Sequence, residues 1–202
     1  MTIRSPLTLM SRHGEARASW RKPPDAGGRH GTTFNELLAA ARHSAVHLEM
    51  RDSYGVGDEA GDFEHWKRTA ERDVDPSSAY WTPWVELIRG TVARGVVVRR
   101  ARIVSEPVTD YIRYEHAGTV VNIHAGEQVR WLPRREASDI ALPGNDCWVI
   151  DNETVLFNHF SGSGDWSEPG WEVRTEPAVA RLASSAFEVV WERGIPHEKY
   201  TV

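Results

Sequence analysis

Between Arg100 and His116 the chain reads RARIVSEPVTDYIRYEH, which places three arginines, one histidine, three carboxylates and two tyrosines in one short stretch. Side chains of these types could do two kinds of chemistry. Glu106, Asp110, Tyr111, Glu115 and His116 could act as acid and base, provided burial moves their pKa values toward neutrality. Arg100 and Arg102 could hold an anionic group of a substrate or ligand. The alternation of a strand puts Arg100 and Arg102 on the face that carries Val98 and Val104. An arginine on such a face needs a carboxylate or an anionic ligand. Glu115 and His116 interrupt the apolar stripe Val108, Ile112, Thr119 and Ile123 of the following helix, so Arg102 is an available partner for them. Two readings stay open here: a structural network tying helix to sheet, or a site at the end of a strand, where open α/β sheets bind ligands.

Two further clusters have the same ambiguity. In HLEMRDSY, Asp52 and Tyr54 follow a strand end, with His47 and Glu49 behind them. They join the ligand-binding candidates if this strand runs parallel to GVVVRRARI. In LPGNDCWVIDN and FNHF, Asp151 is either a ligand contact or a hairpin-turn residue. Arg130, on QVRWLP, completes the ligand-binding set of Asp52, Tyr54, Arg100, Arg102, Arg130 and Asp151. Metal chemistry is not expected, because the close pair His43 and His47 straddles a helix–strand boundary. No cofactor motif is present: GVGDEAGD and SGSGDW lack the lysine and the strand-to-helix context of a phosphate loop.

The elements that must position these groups follow from periodicity and punctuation. Thr33 and Glu36 have capping-box spacing before a short helix to about His43. AVHLEMRD alternates as a strand. DEAGDFEHWKRTAERD and YWTPWVELIRGTVARG are predicted helices, the second ending at Gly95. GVVVRRARIV is a β-branched strand, and Pro107 fits the first position of a helix capped by Glu106 and running to about Ala125. QVRWLP, CWVID, TVLFNHF and WEVRT are predicted strands. EPAVARLASSAFEVVWERG closes the chain as a helix with a face of Val179, Leu182, Ala186, Val190 and Trp191. Strands that alternate with helices and then follow one another predict an α/β sandwich: a single domain over 32–202 with a mixed sheet flanked by helices. Residues 1–31, rich in Arg, Gly, Pro and Ser, read as a flexible arm.

Composition narrows the function classes. A single cysteine, Cys147, rules out an internal disulfide and suits a reducing cytoplasm. It reads as a buried apolar side chain. A formal net charge of −5 argues against direct nucleic-acid binding. No apolar run reaches the roughly 18–20 residues of a membrane span. The nine tryptophans are the unusual feature. WTPW and DWSEPGW fall near loops, where aromatic walls of a pocket form.

From about Thr33 to Tyr200 the chain resembles a bacterial family of unknown function from filamentous, antibiotic-producing, high-G+C organisms. The resemblance is carried by FNELLAAARHSAVHLEMRDSY, VVVRRARIVSEPVTDYIRYEH, GEQVRWLPRR, LPGNDCWVIDN, VLFNHFSGSGDW and AFEVVWERGIPHEKY. Members are often encoded beside helix-turn-helix regulators. GVVVRRARI, GEQVRWLP, DCWVID and AFEVVW are also similar, in that order, to half-domains of the phospholipase D type. That resemblance implies a phospholipase D-like topology. It aligns Gly144 and Asp146 with the histidine and lysine of the catalytic His-x-Lys element, so phosphodiesterase activity is not expected.

The resulting expectation is a non-catalytic, regulatory module that binds a small anionic ligand or a protein partner. A helix-turn-helix regulator or a biosynthetic partner subunit would suit that role. The alternative is a cofactor-independent enzyme of specialised metabolism, eliminating or ring-closing with loss of an anionic leaving group.

Overall fold

Alternation along two neighbouring strands decides what each helical layer meets. In β1 (Ser44–Glu49) Val46 and Leu48 point one way and Ala45, His47 and Glu49 the other. In β2 (Val97–Val104) Ala101 and Ile103 join the first set, while Val98, Arg100 and Arg102 join the second. The two strands are parallel, with His47 opposite Arg100 and Glu49 opposite Arg102. The polar residues are therefore stacked in register across the sheet. The computed structural model describes residues 33–55 and 59–202, so the expected arm 1–31 lies outside the described residues.

β3 (Gln128–Pro133) continues the parallel set beside β2. β4 (Cys147–Ile150) pairs antiparallel with β1, followed outward by β5 (Thr154–Phe160) and β6 (Trp166–Arg174). The two-residue β7 (Ile195–Pro196) lies antiparallel on β3. The result is a seven-stranded mixed sheet in the order β6-β5-β4-β1-β2-β3-β7. Helices cover both faces, as the alternation predicts.

One face carries α1 (Phe34–Ala40), α3 (Thr82–Ala93) and α4 (Asp110–Ala125), packed through Leu38, Trp84, Ile88 and Val121. Thr33 and Glu36 form the expected capping box. The other face carries α5 (Pro177–Arg193), which lays Ala183, Phe187 and Val190 on Val46, Leu48 and Ile103. α2 (Ala60–Thr69) packs against α4 beyond the sheet. Among the described residues no helix is long and apolar enough to cross a membrane.

Four local expectations are corrected. The helix after β2 begins at Asp110, not Pro107, because the Thr109 hydroxyl accepts the Ile112 N–H at 3.2 Å and takes the cap from Glu106. The stripe of α4 does not extend to Ile123, which is 40% exposed, and Leu182 of α5 is 44% exposed because the helix turns Ala183 and Phe187 inward. β6 starts at Trp166, well before WEVRT. β7 was not foreseen, since two residues carry no periodicity.

Candidate ligand-binding site

The stacked polar residues form the floor of a cavity. Arg100 bonds Glu49 at 2.7 Å and Glu127 at 2.8 Å; Arg102 bonds Glu49 at 2.5 Å and Glu115 at 2.8 Å. Glu49 thus bridges both arginines from the adjacent strand. Glu115 reaches down from α4, and Glu127 follows the left-handed Gly126 that ends α4. Asn122 donates to Glu127 at 3.1 Å, and the Thr119 hydroxyl lies 3.3 Å from Arg102 Nη1. His47 sits 3.3 Å from Glu49 and stacks on Trp148 at 4.3 Å between ring centroids. Apart from Gly126, all of these residues are buried.

Above this floor lies a cavity of about 240 Å³. Phe34, Trp81, Trp84, Leu87 and Trp148 supply its apolar walls; His47, Arg72, Arg100, Arg102, Glu59, Glu115 and Asn122 supply its polar ones. The Arg100 guanidinium stands 5.5 Å from the Trp84 ring centroid and 5.7 Å from that of Trp148. Glu59 accepts the Tyr111 hydroxyl at 2.8 Å and the Tyr80 hydroxyl at 3.4 Å. Burial pushes the Tyr80 and Tyr114 hydroxyls well above the usual phenol range, so both stay neutral. Aromatic walls around converging polar groups are a usual form of small-molecule site.

Residues 32–202 match the model of a domain of unknown function, DUF6879. The chain belongs to this family. No curated protein matches it. Among solved structures the fold is similar to Nuc, a phospholipase D family member from Salmonella typhimurium, at 13% identity over 80% of this chain and 86% of that one, TM-score 0.45. NucT from Helicobacter pylori is similar at 14% identity, 80% and 87% coverage and TM-score 0.42. TrmBL2, an archaeal chromatin protein whose structure shows a novel mode of DNA binding, is similar at 14% identity, 80% and 48% coverage and TM-score 0.42.

In this DUF6879 chain the five residues with acid–base potential occupy separate places. Only Glu115 lines the cavity. Tyr111 stands behind Glu59. His116 faces the other way: its Nε2 is 3.0 Å from the Tyr200 carbonyl and its ring 4.3 Å from that of His197. Glu106 is held by Arg135 and by the Tyr200 hydroxyl at 3.1 Å, and exposed Asp110 pairs with Arg113 at 3.6 Å. The expected common acid–base site is therefore not assembled, because α4 presents Glu115 and His116 to different neighbours and carries Asp110 at its exposed first turn, while Glu106 lies in the loop before it.

The expected ligand contacts divide in the same way. Arg100 and Arg102 line the cavity. Asp52 does not; its carboxylate accepts the Ser105 N–H and hydroxyl, both at 2.7 Å, and staples the strand ends together. Tyr54 donates to Asp146, whose other oxygen accepts the Met50 N–H at 2.9 Å. Arg130 reaches the Trp191 carbonyl at 2.8 Å, on the α5 face. Asp151, at the hairpin, accepts the N–H groups of Arg42, His43 and Ser44 at 2.8–2.9 Å. Burial raises its carboxyl pKa, but those backbone donors bring it below the ordinary value. Cys147 is buried and its thiol pushed up to about 12, an inert apolar side chain. Gly144 is exposed, and Asp146 is the buried partner of Tyr54.

Trp81 and Trp84 of WTPW do wall a pocket, as their setting near a loop suggests, whereas Glu59, Arg72, Glu127 and the walls Phe34 and Trp148 carry no such signal. The alternation that placed Arg100 and Arg102 on one face also put His47 and Glu49 on one face of β1, so those two were within reach of the reasoning. The others come from distant segments with no local signal.

Proposed function

We propose that this chain is a non-catalytic module that binds a small planar molecule in the cavity over β1 and β2 and serves regulation. The observation that carries the reading is the pairing of a charged floor with tryptophan walls around about 240 Å³, just under the roughly 300–1,000 Å³ typical of ligand pockets. Stability alone does not call for such a floor, since well-packed apolar residues often serve as well as buried ion pairs. The ligand class shifts from the anion anticipated from Arg100 and Arg102. Both guanidiniums already have carboxylate partners, so the floor offers donors and acceptors together rather than a positive field. A neutral or cationic aromatic molecule fits that arrangement better. The dispersal of Glu106, Asp110, Tyr111, Glu115 and His116 separates the acid and base groups on which the enzymatic alternative was built.

Thermal unfolding of the purified chain with indole, tryptamine and indole-3-acetate tests this. Indole and tryptamine should raise Tm, since a ligand at about 100 times its Kd adds about 2.7 kcal/mol. Indole-3-acetate should do less. Trp84→Ala and Trp148→Ala should each remove the response. A chain that ignores all three probes, or variants that respond undiminished, would overturn the reading.

A further inference from the structure

Arg72 sits in a place built for a cation, yet it comes from the irregular stretch between α2 and α3. Its guanidinium lies 3.5 Å from the Tyr114 ring centroid and 5.6 Å from that of Trp81, donates to the Tyr114 carbonyl, and is 3.9 Å from Glu115. Two aromatic faces, a carbonyl and a carboxylate together make a cation cage. Gly118 leaves the room: a Cβ there would fall 2.3 Å from the Arg72 Cζ. The side chain is only 7% exposed, and its buried Nε has no hydrogen-bond acceptor. The cage therefore holds a guanidinium without satisfying it fully.

Arg72 also lines two spaces at once. One is the aromatic cavity; the other is an outer cavity of about 330 Å³ that Asp62, Glu71 and Asp73 border. The charges nearby have the same sense. Among the described residues, four buried carboxyl groups, Glu49, Glu59, Glu115 and Glu127, meet three guanidiniums, those of Arg72, Arg100 and Arg102, with His47 beside Glu49. If Arg72 swings out, the carboxylates outnumber the remaining arginines by two to one, and a cation entering past the outer acids would restore the balance.

We propose that the Arg72 seat is the cationic subsite of the ligand cavity. Arg72 occupies it as an internal stand-in, and a guanidinium or ammonium group on the ligand displaces it. This rests on the cavity being a ligand site, and it adds the ligand's chemical class, an aromatic molecule carrying a cationic arm. Because a resident side chain competes for the seat, apparent affinity is reduced by the fraction of molecules in which Arg72 is out.

Arg72→Ala tests it with two probes, Arg72→Gln standing in should the alanine variant fail to fold. Methylguanidinium should raise the Tm of the variant and leave that of the wild-type chain almost unmoved at the same concentration. Tryptamine should bind the variant about tenfold or more tighter than wild type, while indole, which has no cation, should bind both alike. Adding Gly118→Ala to the variant should abolish the methylguanidinium response by filling the seat. A folded variant that responds to methylguanidinium no more than wild type overturns the subsite. Indole failing on both proteins would instead overturn the cavity reading, so the two failures are separable. If methylguanidinium binds the variant but tryptamine gains nothing over indole, the seat holds a cation that the cavity ligand does not use, and the linkage falls.

Discussion

Strand β2 presents opposite characters to its two helical layers. Toward α5 it offers Ala101 and Ile103, which meet Phe187 and Val190 in a dry apolar layer. Toward α3 and α4 it offers Arg100 and Arg102, each tied to carboxylates from other elements. Even Arg99 on the α5 side keeps its head near the edge, bonded to Glu188 at 2.6 and 2.9 Å over the rings of Phe187 and Trp191. The apolar face tolerates its burial residue by residue, because transfer from water is non-directional. The charged face holds only as a unit, since each buried charge depends on partners supplied by β1, α4 and the turn after it.

The sharpest break of this comparison is Glu49→Ala. It leaves Arg100 and Arg102 each short of one partner, and urea unfolding should show a loss of roughly 3–5 kcal/mol. Combining Arg102→Met with Glu115→Leu should cost less than the sum of the two single changes, as expected for one ion pair.

Acid should act on the polar side of the sheet and spare the other. His197 accepts the Trp131 N–H at 3.2 Å, and burial, His116 and Arg102 push its pKa down to about 4; burial lowers that of His116 as well. Both imidazoles are neutral in the folded chain and protonate more readily once unfolded. Their stabilisation is complete above about pH 6.5 and is lost as pH falls toward 4, by roughly 2–3 kcal/mol for His197. Urea midpoints measured from pH 7 to pH 4 should show this slope, and His197→Gln should flatten most of it.

Val190→Ala on the dry face should cost roughly 1.5–2.5 kcal/mol, with no change in the response to indole. A loss of indole binding there would erase the distinction between the faces. The smallest effect is expected at Glu188→Gln. Its carboxylate is 47% exposed, so water and salt screen it, and the cost should be about 0.2–1 kcal/mol, shrinking at high ionic strength.

Much of the scaffold was legible in the sequence for a local reason. Alternation in VVRRARIV placed Arg100 and Arg102 together on the face of Val98, and the order of strands and helices called for a mixed sheet with two helical layers. The interruption of the α4 stripe at Glu115 pointed to Arg102, where the bond now stands at 2.8 Å. Local rules failed where two candidates competed over a few residues. At the start of α4, Thr109 outdid Glu106 as the cap. In α5 the small Ala183 faces inward and the larger Leu182 outward, which hydrophobicity alone does not indicate.

The sequence by itself determined most of the strands and their two-faced pattern, because these depend on neighbours a few positions away, and its composition set the single cysteine and the charge balance. Only the tertiary structure decided which carboxylates answer those arginines, that Phe34, Trp84 and Trp148 wall the same space, and that Arg72 crosses over Gly118 into an aromatic cage. Those contacts join residues from distant segments, and a side chain's partners across such distances depend on how helices pack on the sheet, which no local periodicity encodes.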